Sequence, residues 1–202
     1  QARVAIRRLR SALRLWAPLL PPGFRAAFSP RWRDLAQLLG QARNLDVFVT
    51  ETLPPMLAAF PETPAPGRPA HPAERRRQQW HREIRAAFEA PEFAALVLSF
   101  TAALCALPSD VSLVSLDDFL RRRLRRFARE VKTMADACSG HPEAHHRLRI
   151  AFKRLRYALE FAAPLLPAGK VRRYGVATAE MQALLGAMND LAVAAAPVAE
   201  LR

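Results

Sequence analysis

Two stretches of this chain repeat one another: RVAIRRLRSALRLWAPLL, beginning at Arg3, and RIAFKRLRYALEFAAPLL, beginning at Arg149. Aligned at a constant offset of 146, residues 3–23 and 149–169 share 13 identities in 21 positions, among them Arg3/Arg149, Arg8/Arg154, Arg10/Arg156 and the APLLP tail. The register continues without insertion to LLG at 38–40 against LLG at 184–186, and to Leu45 against Leu191. Two copies of one helical hairpin predict an all-α, pseudo-symmetric fold of two helical-bundle halves. With other helices between only two copies, the halves form a two-lobed domain and not a solenoid.

Helix formers carry this reading along the chain. Ala, Leu, Arg and Glu dominate, Gly is limited to 7 residues, and no stretch alternates with a two-residue period between hairpin turns. The spacing predicts helices at 2–20, 25–39, 45–59, 73–89, 91–107, 115–137, 143–166, 170–186 and 190–201, broken by Pro and Gly. A chain of 202 residues that is 51% hydrophobic can bury one substantial core. Residues 1–202 therefore read as a single domain, its first half about 1–107 and its second about 108–202. PETPAPGRPAHPAE, residues 61–74, holds five prolines and reads as a linker or exposed loop.

No apolar run reaches the roughly 18 residues a membrane span needs. The most apolar segment, FAALVLSFTAALCALP, lies between Glu92 and Pro108 and suits a buried helix. No apolar signal region follows the basic N-terminus, so a cytoplasmic location is expected, and the start at Gln1 without a Met reads as a front edge removed or omitted. Cys105 and Cys138 fit neither a CxxC pair nor a disulfide framework and are expected as buried thiols.

Charge points to an anionic partner. Lys and Arg number 31 against 18 Asp and Glu, a formal net charge of +13. In the first copy Ile6, Leu9, Leu13, Trp16 and Leu20 form an apolar stripe, and Arg3, Arg7, Arg10 and Arg14 form a second stripe roughly 110° away. In the second copy Arg149, Lys153 and Arg156 occupy that row, and Glu160 stands in place of Arg14. Arg8 and Arg154 fall further round, on a face more open to solvent. An ordinary solvated face interleaves acids with bases, because opposite charges at i,i+4 support a helix and like charges oppose it. Between Gln1 and Arg33 there is no acidic residue at all, so the row asks for an external counter-charge.

Arginine forks make paired hydrogen bonds to phosphate oxygens, which suits a phosphate-bearing polymer. In DDFLRRRLRRFAREVKTM the apolar stripe is Leu120, Leu124, Phe127, Val131 and Met134, with Arg121, Arg125 and Lys132 roughly 100–140° round from it. These three are expected on a wall of the same basic surface, with Arg122 and Arg129 farther out.

Other chemistries fare worse. HPEAHH at 141–146 gives His141 and His145 an i,i+4 spacing, but no second ligand cluster accompanies it, so a surface histidine cluster is the better reading and no metal or cofactor is expected. His145, His141 and His71 are expected to face solvent. His146, three residues before Arg149, is expected to contact the anion, which would favour its cationic form. GxSxG, P-loop, HExxH and paired-carboxylate motifs are absent, so the chain does not read as an enzyme. Nucleic acid is the rival ligand, since DNA and RNA attract the same Lys/Arg rows. It lacks a base reader here: Trp16, Phe152 and Phe161 are expected in the core, and no RNP, KH-loop or zinc-finger pattern appears.

The same residues resemble a known family, the CHAD domains, helical modules named for their histidines. HRLRIAFKRLRYALEF matches the family pattern at His146, Arg149, Lys153, Arg154, Arg156 and Tyr157, and the first copy supplies Arg3, Arg7, Arg8 and Arg10. LLGQARNLDVF resembles the family's LG-x-x-RD-x-DV segment and brings in Arg43, with Asn44 in place of the usual Asp and Asp46 as the nearby carboxylate. The first-copy histidine would precede Gln1. The resemblance implies two helical halves with a basic groove that binds inorganic polyphosphate, no catalytic role, and an accessory or targeting module. It also implies association with polyphosphate granules and, as a fusion partner in some members, an upstream triphosphate-tunnel domain. The basic rows and the resemblance together give as expected ligand contacts Arg3, Arg7, Arg8, Arg10, Arg14, Arg43, Arg121, Arg125, Lys132, His146, Arg149, Lys153, Arg154, Arg156 and Tyr157.

Overall fold

The computed structural model describes residues 1–59, 70–108 and 115–200, with side chains at 1–59, 72–108 and 115–188. Most of the Pro-rich stretch 61–74, with Arg68, lies outside the described residues, as do the side chains of His71 and of the helix expected at 190–201. The described residues are helical with no strand: α1 (Ala2–Leu15), α2 (Phe24–Val47), α3 (Leu53–Ala59), α4 (Ala70–Glu89), α5 (Pro91–Cys105), α6 (Leu116–Asp136), α7 (Pro142–Ala162) and α8 (Ala168–Glu200).

Boundaries depart from expectation for local reasons. α1 and α7 stop short because Pro18 and Pro164 cannot donate to a preceding carbonyl, and in both copies Ala-Pro-Leu tightens into one 3-10 turn, at Ala17–Leu19 and Ala163–Leu165. The breaks expected after residues 39 and 186 do not occur. Gly40 and Gly186 sit inside long helices, since a single Gly costs a helix only about 1 kcal/mol and the flanking Leu, Gln and Ala residues favour it. A π-helical turn, Phe48–Thr52, carries α2 on into α3. α4 opens at Ala70, so residues 70–74 are helical and not part of a loop.

The chain divides into two compact units, Gln1–Arg10 with Leu20–Pro108, and Ser11–Leu19 with Ser109–Arg202. α1 thus contributes its first part to unit 1 and its last turn to unit 2, where the expected halves met at residue 107.

In unit 1 the core is aromatic. Phe24, Phe28 and Trp32 of α2 surround Phe100 of α5 at centroid separations of 5.9, 5.2 and 5.5 Å, offset or edge-on as ring quadrupoles favour. α5 is less buried than its composition suggests. Leu96 and Phe100 are enclosed, but Leu98 is 70% exposed and Cys105 is exposed too, because only one edge of the helix meets those rings.

In unit 2 one cluster joins α6, α7, α8 and the end of α1: Leu15, Leu120, Phe127, Val131, Leu148, Ala151, Leu155, Ala158, Ala162 and Leu185 are buried together. The α6 stripe matches its sequence pattern, with Phe119 buried in addition and stacked 5.6 Å from Trp16. Phe152, Phe161 and Cys138 pack against this cluster from its edge. Gly140, at φ +80°, turns the chain between α6 and α7 through the left-handed region that glycine adopts without a steric penalty.

Candidate functional site

α7 begins at Pro142, which presets helical φ at a position where an N–H is not needed. Its placement in unit 2 is set by small and branched residues, Ala144, Leu148, Ala151, Leu155 and Ala158, that bury one stripe. Arg149, Lys153 and Arg156 then fall on the far side of that stripe, all half-buried, with His146 exposed at the N-terminal end and His145 half-buried beside it, less open than expected.

Arg156 is held as a rigid fork. Its Nε donates to Gln182 Oε1 of α8 at 3.1 Å, its Nη1 donates to Glu160 Oε1 at 2.6 Å, and its guanidinium lies 4.8 Å from the centre of the Tyr157 ring. Tyr157 itself is only 3% exposed, so it braces Arg156 from the core where a marginal ligand contact was expected. Two donors near this row are buried with no acceptor among the described residues: Arg149 Nε and the Gln182 side-chain amide nitrogen. Buried donors of this kind cost of order 1–3 kcal/mol each unless something accepts from them.

Arg154 does not face open solvent as its helical position suggested. It is half-buried and donates to Glu130 of α6, because α6 packs along this side of α7.

On α6, Arg121 pairs with Asp117 at 2.6 Å. That hydrogen bond raises the arginine's pKa, and the attraction of Asp117 adds to it. Arg125 and Lys132 are exposed and lie roughly 120–140° round α6 from Leu120, Phe127 and Val131, which face the shared core. Both therefore lie on the side of α6 away from the stripe that joins the shared core.

Sequence reasoning passed over Arg123. Its Nε donates to the Leu15 carbonyl at 3.0 Å and its Nη2 to the Arg14 carbonyl at 2.6 Å, closing the last turn of α1, and it lies over Phe127 at 5.0 Å. Its position four residues after Phe119 and four before Phe127, on the apolar stripe itself, was the available signal.

In unit 1 the α1 row places Arg3 exposed and Arg7 and Arg10 half-buried, with Arg8 exposed further round. Burial lowers the pKa of Arg10, the neighbouring Arg33 lowers it further, and Asp34 partly offsets both. Two guanidinium groups held near each other in a partly dry setting are a place where an anion is stabilising. Arg14, the last member of the row, falls in unit 2 and is half-buried.

Arg43 is exposed and pairs with Glu51 at 3.4 Å, while Asp46 accepts from Arg77 Nε at 2.8 Å and from His81 Nε2 at 2.9 Å, joining α2 to α4. The groove lined by Asp34, Gln37, Gln41, Asn44 and Trp80 carries a carboxylate and amides and does not extend the basic row.

Chemically, these surfaces hold hydrogen-bond donors and cations. Among the described residues no group of three His, Cys, Asp or Glu side chains can hold a metal ion, and no single helix is long and apolar enough to cross a membrane.

Comparison with known proteins agrees with the architecture. The sequence profile of the CHAD domain matches residues 1–199. The chain is similar to the crystal structure of the CHAD domain from the plant Ricinus communis, at 31% identity and a TM-score of 0.81, over 98% of this chain and 66% of that one. No curated protein matches the chain.

Proposed function

Because the chain belongs to the CHAD domain family, whose members are in general non-catalytic, polyphosphate-binding helical domains, we propose that it binds inorganic polyphosphate and catalyses no reaction. The observation that carries this reading is the α7 row. Arg149, Lys153 and Arg156 lie along one side of the helix, and Arg149 Nε and the Gln182 amide stand buried without an acceptor among the described residues. A phosphate oxygen supplies what both lack, since it accepts several charge-assisted hydrogen bonds at once.

His146 extends the row by one turn towards the start of α7. Arg3, Arg7 and Arg10 of unit 1 form a second row of the same spacing, about 5.4 Å per turn, which suits the successive phosphates of a polymer. Arg156 depends on Gln182 and Glu160 for its orientation, so its fork is pre-organised and loses little freedom on binding. On this reading the chain is a targeting or accessory module, acting in the cytoplasm at polyphosphate granules, and a fused tunnel domain would supply any turnover.

Calorimetry at one moderate salt concentration with long-chain polyphosphate, triphosphate, ATP and single-stranded DNA tests the proposal. Long-chain polyphosphate is expected to bind at least ten-fold more tightly than the other three, with no phosphate released. Equal affinity for DNA would transfer the surface to nucleic acid, and phosphate release would make the chain an enzyme.

A further inference from the structure

α6 carries seven basic residues between Arg121 and Lys132 and one acid, Glu130. That acid is taken by Arg154 of α7, Arg121 is taken by Asp117, and Arg123 by the Leu15 and Arg14 carbonyls. Arg122, Arg125, Arg126, Arg129 and Lys132 remain, all exposed, and among the described residues none of the five has an ion-pair partner. They sit roughly 120–180° round the helix from Leu120, Phe127 and Val131, so they occupy its outer face over about 15 Å. Like charges three and four apart along that face, such as Arg122 with Arg126 and Arg125 with Arg129, each oppose the helix by a few tenths of a kcal/mol. Among the described residues the face therefore stays short of counter-charge.

Its direction separates it from the α7 row. Within unit 2 the buried stripe of α6 faces the buried stripe of α7 inside one cluster. Arg149, Lys153 and Arg156 lie roughly 120–180° round α7 from that shared core, and the α6 cations lie equally far round α6. The two basic rows thus point away from each other across the helix pair. The Arg154–Glu130 pair marks the side on which the helices meet.

We propose that the outer face of α6 is a second polyanion site, independent of the α7 row, and that it takes a second strand of polyphosphate. One chain then holds two strands at once and gathers polymer as well as binding it. The inference rests on the polyphosphate reading above.

The test uses the full chain and a short polyphosphate just long enough to cover about three helical turns, roughly 16 Å, so that one strand fills one row. Calorimetry counts equivalents for four proteins: the parent, the α6 variant Arg122→Gln/Arg125→Gln/Arg129→Gln, the α7 variant Arg149→Gln/Lys153→Gln, and their combination. Each variant is expected to lose one equivalent and the combination two, with circular dichroism unchanged. If the α6 variant keeps every equivalent, or if the combination loses no more than the α7 variant alone, the second site does not exist and the proposed function still stands. If the parent binds no polyphosphate, the function itself fails and the inference with it. If the α6 variant loses an equivalent of single-stranded DNA and none of polyphosphate, the face belongs to nucleic acid and the proposal is overturned.

Discussion

Asp46 ties α2 to α4 through hydrogen bonds from Arg77 and His81. Burial pushes its carboxyl pKa up, but hydrogen bonds from His81 and Arg77, together with their charges, outweigh that effect and leave it below the ordinary carboxylate value. A carboxylate whose folded pKa is depressed stabilises the fold above its unfolded pKa of about 3.9, and that contribution is lost as pH falls through the lower folded value. The parent is therefore expected to be more stable than Asp46→Asn at neutral pH, with the two converging as pH falls below the carboxylate range. Urea unfolding midpoints across pH measure this, and a gap between the two proteins that stays constant into acid would refute it. The sequence showed Asp46 only as the carboxylate next to a departure from the family pattern at Asn44. Its partners Arg77 and His81 lie 31 and 35 residues away, a distance over which spacing rules say nothing.

Helices were legible where a periodic stripe and a proline agreed, and less so where a glycine stood alone. The Pro-Leu turns after α1 and α7 follow from a missing N–H, whereas Gly40 and Gly186 carry a small propensity cost that neighbouring Leu and Ala residues overcome. Burial of α5 could not be read from its apolar composition, because enclosure depends on how many neighbours a helix meets, and Leu98 meets few. The α7 row was visible as periodicity, but the bracing of Arg156 by Gln182 and the diversion of Arg154 to Glu130 depend on helices packed alongside.

Arg123 is the same lesson on α6: a cation on an apolar stripe has a structural acceptor, here the C-terminal carbonyls of α1. Charged hydrogen bonds of this kind are worth about 1.5–3 kcal/mol, so Arg123→Met is expected to lower unfolding free energy by about 1–3 kcal/mol. Arg123→Lys should recover little, since a single ammonium cannot reproduce two divergent donors. Chemical denaturation reads both variants, and polyphosphate affinity should change less than two-fold; a stable Arg123→Met protein with weakened binding would move Arg123 from the fold to the ligand.

At the scale of the whole molecule the formal charge of +13 raises the question of whether binding is general attraction or a counted set of contacts. Salt dependence separates the two, because each phosphate neutralised releases condensed counterion, and for a flexible single-stranded polyanion the slope of log affinity against log salt is roughly −0.7 per contact. If Arg3, Arg7, Arg10, Arg149, Lys153 and Arg156 all engage one long polymer, the slope is about −4, so raising salt from about 50 to about 200 mM weakens binding roughly 300-fold. Reversing Arg10 and Arg156 together, one from each repeated row, is expected to weaken binding at those rows by orders of magnitude with helicity retained. The milder pair Arg10→Gln and Arg149→Gln then reports the count, since it should make the slope shallower by about 1.4. Diffuse attraction to a basic protein predicts something else: two neutralised residues among 31 lower the affinity slightly and leave the slope nearly where it was. Polyphosphate titrations of the parent and the Gln pair at four salt concentrations distinguish these outcomes. An unchanged slope in the pair would mean that the repeated rows are not where the polymer sits, whatever affinity the parent shows.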